Sequence, residues 1–232
     1  MARYSKILIN VPDVNRAYVQ GSYKYSSPNV IADNKQVISN IQSNLGSIIS
    51  KYGAEFEIDD EILIGFIATE SGGKNAPSNQ YDATGYMQIT PVSVYETITK
   101  WEQQVGSPLP PNAKAVLKKY IPSSITWDKN TDASSSTLNS IKTAAKNADF
   151  NIAMGSAMIR WMLEAFSTDS NTSYLNKVMI GYNMGYYNAK NRLLGDLTSD
   201  QILAIRGLGA EPKAYILKML GVYGFLDLMF NR

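Results

Sequence analysis

Between Asp59 and Glu70 the chain carries an acidic turn, Asp59-Asp60-Glu61, followed by Ile62, Leu63, Ile64, Phe66, Ile67 and Ala68. At helical spacing these apolar residues cover nearly the whole circumference. A helix without a polar face must be enclosed by other elements, so the rest of the chain has to supply its walls. The acidic residues complement the positive end of the helix dipole and mark the start, and Gly72-Gly73 marks the stop.

The walls are legible as further helices. Val37, Ile38, Ile41, Leu45, Ile48, Ile49 and Tyr52 recur at spacings of three and four, which predicts an amphipathic helix from Asp33, with Gly53 as its stop. Pro91 is suited to the first position of a helix over 92–104. Residues 106–140, with Pro108, Pro110, Pro111, Pro122 and Ser134-Ser135-Ser136, read as an irregular insertion. It holds one short helix near 113–120 and leaves room for a small β hairpin. Helical periodicity resumes at Ile141, runs through Ile152, Met154, Met158, Ile159, Trp161, Met162 and Phe166, and returns over 175–182, 202–205 and 215–229. The expected class is therefore mainly α. Residues 1–32, with Pro12, Gly21, Pro28 and four tyrosines, show no helical period and read as an extended N-terminal arm preceding a single unit over 33–232.

Composition narrows the chemistry. Twenty-two Lys and Arg against 20 Asp and Glu leave a net charge of +2, too little for a nucleic-acid binder. There is no cysteine and no histidine, which excludes thiolate and imidazole nucleophiles, disulfides and every metal site that needs sulfur or imidazole. Acid–base work falls to carboxylates, Lys and Tyr. Only an oxygen-ligated cation is conceivable, no EF-hand spacing is present, and neither metal nor cofactor is expected. Met1 to Val11 lacks the apolar core of a secretory leader, and no run of about 18 apolar residues occurs, so neither a leader nor a membrane span is expected.

Glu70 is the most informative single residue. It is a lone carboxylate at the end of an otherwise apolar helix. Burial disfavours its ionised form, and the negative end of the helix dipole acts in the same direction. A glutamic acid still protonated near neutral pH is a general acid. The plain alternative is a surface glutamate on the one polar stripe of that helix. Ser71, able to hydrogen-bond the carboxyl, and the glycine pair, which lets a ligand approach the backbone, favour the catalytic reading.

Glu70-Ser71-Gly72-Gly73, then Gly85-Tyr86-Met87-Gln88-Ile89 with Pro91, then Gly181-Tyr182-Asn183-Met184-Gly185 resembles the ordered motif set of the soluble lytic transglycosylases, whose lysozyme-like fold is related to that of goose-type lysozymes. Asn151-Ile152-Ala153-Met154-Gly155 and the pair Glu211 and Tyr215 resemble two further motifs of that family. The resemblance spans roughly 58–224 and leaves the arm and the insertion unexplained. It implies that Glu70 is the single catalytic acid and base, that Ser71 orients it, that Tyr86, Met87 and Gln88 line a sugar groove, and that Tyr182, Asn183 and Tyr215 face the same cleft. Met87 and Tyr182 have a second reading as core packing, and Asn183 one as a helix-terminal residue. Gly181, Met184 and Tyr86 depart from the family pattern, which commonly has Ala, a small residue and Leu at these places.

The substrate implied by the resemblance is the peptidoglycan glycan strand. Glu70 would protonate the oxygen between N-acetylmuramic acid and N-acetylglucosamine, and the muramic acid C6 hydroxyl would close to a 1,6-anhydro product. One rival is a muramidase of the same fold using a second carboxylate such as Asp82, which also reads as a turn residue. Another is a non-catalytic structural or glycan-binding protein of a phage particle. A wall-directed enzyme without an export signal suits a bacteriophage. It would be carried on the virion, with the arm contacting tail or other virion proteins, or held in the host cytoplasm until lysis.

Overall fold

The computed structural model describes residues 28–166, 174–193, 197, 199–221 and 223–230. Most of the expected arm, residues 1–27, lies outside them. The described residues form eleven helices and no strand, an all-α architecture.

Helix α1 runs from Pro28 to Phe56 and α2 from Asp60 to Ser71. Helix α1 therefore starts five residues before the expected Asp33, with Pro28 preset for a first helical position, and residues 28–32 do not belong to an extended arm. It also passes through Gly53, the expected stop. Tyr52 and Phe56 are both fully buried, and their burial outweighs the modest propensity cost of one glycine. The reversal comes instead at Glu57, where φ is 55°.

Helix α2 is the enclosed element. All seven residues from Ile62 to Ala68 are buried, and the helix ends at Gly72 in the left-handed region with its N–H donated to the Ala68 carbonyl. Helix α1 packs along one side, with α10 (Ala210–Leu220) and α11 (Phe225–Phe230) on another. The fit is tight at Gly65, where a Cβ would stand 2.8 Å from Leu226 Cδ2 and 3.1 Å from Met219 Cε.

A second buried helix, α6 (Ala148–Phe166), is the other axis of the fold. It packs against α1, α3 (Pro91–Val105), α4 (Pro111–Tyr120) and α7 (Tyr174–Met184). Thr90 caps α3 by accepting from the Ser93 N–H, with Pro91 next in line. The stretch 106–140 is less irregular than its prolines suggest. It contains α4 and the start of α5 (Ser135–Ala144), and Leu109, Ala113, Val116, Leu117 and Ile121 are buried in the common core. The β hairpin expected there is absent among the described residues. The isolated bridges, Ala76 with Gly85 and Thr84 with Ile89, lie instead in the turn after α2.

That turn is pressed onto α6 at Asn151. The side chain is fully buried; its Oδ1 accepts from the Met87 N–H at 2.8 Å, and its Nδ2 donates to Thr84 O at 2.8 Å and Ala145 O at 2.9 Å. A Cβ on Gly85 would collide with the Asn151 amide, and one on Gly155 with the Met87 side chain. Replacing Asn151 by Ala orphans three buried backbone groups, each costing about 1–3 kcal/mol. Asn151→Ala is expected to lower the unfolding free energy by about 2–4 kcal/mol, measured by urea titration; a change within 0.5 kcal/mol would refute this account of the turn.

Candidate active site

Glu70 is the penultimate residue of α2, and the segments around it are joined through backbone carbonyls. Ser71 Oγ donates to Ile67 O at 3.1 Å and to Tyr86 O at 2.7 Å. The Tyr182 hydroxyl, from α7, donates to Met87 O at 2.8 Å. The Tyr182 ring meets Phe66 of α2 edge-on at 5.0 Å, and the Tyr215 ring of α10 lies 6.1 Å from the same Phe66. Two phenols from two helices thus converge on the end of α2.

Part of Glu70 meets solvent, while protein encloses its carboxyl on nearly every side. Burial is the largest influence on the carboxyl and raises its pKa from an ordinary 4.5 to about 8, against the lowering effects of Tyr215 and Lys218 and with a further rise from Glu211. The Tyr215 hydroxyl is buried and sits close enough to the carboxyl to favour its ionised form. Burial, and then the Glu70 charge, push both phenols well above their usual range. At neutral pH Glu70 is a protonated acid beside two neutral hydroxyls.

The expected residues divide into those that reach the carboxyl and those that act at a distance. Tyr182 and Tyr215 lie beside Glu70. Asn183, next to Tyr182, donates to Glu211 Oε1 at 3.4 Å. Ser71 does not orient Glu70; its hydroxyl is committed to the two carbonyls above. Met87 is fully buried against Gly155, so its side chain fills core space and is not a groove wall. Tyr86 packs against the core as a half-buried ring, and its carbonyl holds Ser71. Gln88, at φ 44°, donates to Gly85 O at 2.9 Å within its own turn. Asp82 occupies a left-handed turn position at φ 61°, is exposed and is paired with Lys142. The departure at Gly181 has a steric reason: a Cβ there would stand 3.2 Å from Phe166 Cε2 and 3.3 Å from Met162 Sδ.

Glu211 and Lys218 also act on Glu70; sequence reasoning matched Glu211 to a family motif without giving it a role and did not single out Lys218. The available signal was their spacing, since Glu211, Tyr215 and Lys218 stand at i, i+4 and i+7 on one stripe of α10. Sequence reasoning also missed the aromatic wall. A cleft of about 320 Å³ opens beside Tyr182 and Asn183 and is bounded by Thr90, Glu96, Trp161 and Tyr187. Trp161 and Tyr186 pack edge-on at 4.7 Å. Among the described residues no three Asp or Glu side chains gather as a metal site, and no helix is long and apolar enough to cross a membrane. No protein-family model matches the chain, and no curated protein matches it significantly.

A carboxyl with a raised folded-state pKa binds its proton more tightly in the folded chain than in the unfolded one. Its cost to stability is absent below pH about 4.5, grows as pH rises and is complete above about 8. Glu70→Gln is therefore expected to match wild type in unfolding free energy at pH 4 and to exceed it at pH 8.5 by roughly 2–4 kcal/mol. Parallel stability curves across that range would show that the carboxyl is not held in a dry site.

Proposed function

We propose that the chain is a peptidoglycan lytic transglycosylase with a lysozyme-like fold, cleaving the β-1,4 bond between N-acetylmuramic acid and N-acetylglucosamine. The observation that carries this reading is the enclosed Glu70 carboxyl, its pKa raised to about 8, with Tyr182 and Tyr215 beside it and a cleft opening next to Tyr182 and Asn183. Glu70 donates its proton to the bridging oxygen as the bond to the anomeric carbon breaks. The resulting carboxylate then takes the proton of the muramic acid C6 hydroxyl as that oxygen closes on the anomeric carbon. The products are a 1,6-anhydromuramic acid end and a free N-acetylglucosamine 4-hydroxyl. The nucleophile is intramolecular, so no second protein carboxylate is needed, and its proximity replaces water activation.

Bacteriophage origin, with the enzyme on the virion or released at lysis, remains the accompanying proposal for where it meets its substrate. The docking role proposed for the arm rests on residues outside those described.

A second reading is favoured by one observation. Glu211 is the carboxylate whose charge reaches Glu70, and a hydrolytic muramidase would use it, rather than Asp82, to direct water. The product separates the two: mass spectrometry of digested muropeptides is expected to show anhydro ends, whereas reducing ends carrying solvent ¹⁸O would assign hydrolysis. Wall-clearing activity is expected to fall at least about a thousandfold in Glu70→Gln, and Asp82→Asn is expected to stay near wild type. Equal clearing by wild type and Glu70→Gln, or none by either, would leave a binding or structural protein.

The acid form starts the reaction, so kcat/KM is expected to decline as pH rises through about 8. Tyr215→Phe removes a group that favours the ionised form and should move that limb to higher pH. Glu211→Gln removes a like charge and should move it lower. Shifts of the same sign in the two variants would refute the assigned roles.

A further inference from the structure

A second cavity, about 260 Å³, lies between α3 and the segment 129–138. Neither Glu70 nor the residues placed beside it line this space. Its inner wall is one stripe of α3, formed by Val92, Tyr95, Glu96 and Thr99 at i, i+3, i+4 and i+7, with Lys100 next to it.

The outer wall is anchored at both ends. The Tyr95 hydroxyl donates to Asp128 O at 3.0 Å and accepts from the Asp128 N–H at 3.2 Å, and the Tyr95 ring stacks on Trp127 at 5.6 Å. Asp128 in turn accepts from the Asn130 N–H at 2.9 Å. At the other end Ser134 caps α5 by accepting from the Thr137 N–H. A cavity with preset walls spends little binding energy on ordering.

The lining carries two charges of each sign, Glu96 and Asp132 against Lys100 and Lys129. Lys100 Nζ donates to the Tyr187 hydroxyl at 2.9 Å and to Glu96 Oε1 at 3.5 Å, which leaves its third proton and Glu96 Oε2 unused among the described residues. The Lys129 and Asp132 side chains make no hydrogen bond or ion pair among the described residues. A neutral guest would desolvate these groups without pairing them, and a guest of one sign would satisfy half of them and meet its own sign in the rest. A guest that carries both signs close together pairs with both sets through charge-assisted hydrogen bonds. Val92, 54% exposed, and Leu138 add a small apolar surface. The volume, just under the range of about 300–1,000 Å³ usual for small-molecule sites, limits the guest to the size of an amino acid or dipeptide.

We propose that this cavity binds a zwitterionic amino acid or dipeptide with a short aliphatic side chain, its ammonium paired with Glu96 and Asp132, its carboxylate with Lys100 and Lys129, and its side chain against Val92 and Leu138. The site is separate from Glu70 and does not rest on the glycan-cleaving reading.

The test follows backbone amide shifts of the wild-type chain by NMR during titration with leucine and with alanyl-alanine. The comparison ligands are the halves of leucine that carry one charge each, 3-methylbutylamine and 4-methylpentanoate, with N-acetylglucosamine as the neutral control. At least one zwitterion is expected to shift amides over 129–138 and to bind at least about tenfold more tightly than either half or the sugar. Lys129→Met and Asp132→Asn are each expected to weaken that zwitterion at least about fivefold, whereas Lys114→Met, an exposed lysine on α4, should leave it within about twofold. Zwitterions that leave 129–138 unshifted overturn the site. So does a half or the sugar binding as tightly as the zwitterion, or an affinity unchanged in either cavity variant.

Discussion

The arrangement around the cleft depends on one buried amide. Asn151 satisfies the Met87 N–H and the Thr84 and Ala145 carbonyls from a single fully buried side chain, and a buried amide is worth keeping only if its polar atoms are paired. Gly85 and Gly155 let the turn come that close. Once held, the turn presents the carbonyls of Tyr86 and Met87, and these receive Ser71 from the end of α2 and Tyr182 from α7. The position of Glu70 relative to its phenols is thus set by a chain of hydrogen bonds that begins on a helix Glu70 does not belong to.

The helical framework was legible because its signals are local. The apolar girth of α2, its acidic first turn, the glycine at its end and the three-four spacing of α1 each follow from neighbours in sequence. The same locality explains the failures. Gly53 reads as a stop until the burial of Tyr52 and Phe56 is counted, and the prolines of 106–140 hide Leu109, Val116 and Leu117, whose partners lie on α6. In the site, residue type suggested side-chain roles for Ser71, Met87 and Tyr86 where the fold uses a hydroxyl committed to carbonyls, a buried thioether and a main-chain oxygen. Backbone carbonyls have no letter in the sequence, so contacts made through them leave no mark there. The grouping of Tyr182 and Tyr215 with Glu70 was legible because these contacts are made by the side chains themselves.

Electrostatics around Glu70 add a further constraint. A carboxyl in a dry cleft drifts toward permanent protonation, and one exposed to water toward permanent ionisation; a group that must both give and take a proton needs a value between these limits. Burial supplies the larger push, and the stripe on α10 trims it in both directions, with Glu211 opposing ionisation while Tyr215 and Lys218 favour it. One helix face therefore carries an anion, a neutral donor and a cation directed at the same acid.

This stripe also bears on how many carboxylates the proposed chemistry uses. Glu211 is exposed and bonded by Asn183, and its effect on Glu70 is that of a like charge, which stabilises the protonated acid before any water is activated. In the proposed reaction such a carboxylate is useful even when it never touches the reacting carbon, because it keeps the proton in place until the bridging oxygen arrives. Asp82, exposed and paired with Lys142, is not among the charges that act on Glu70. The number of carboxylates near a cleft is thus a weaker guide to mechanism than the direction in which each one moves the acid.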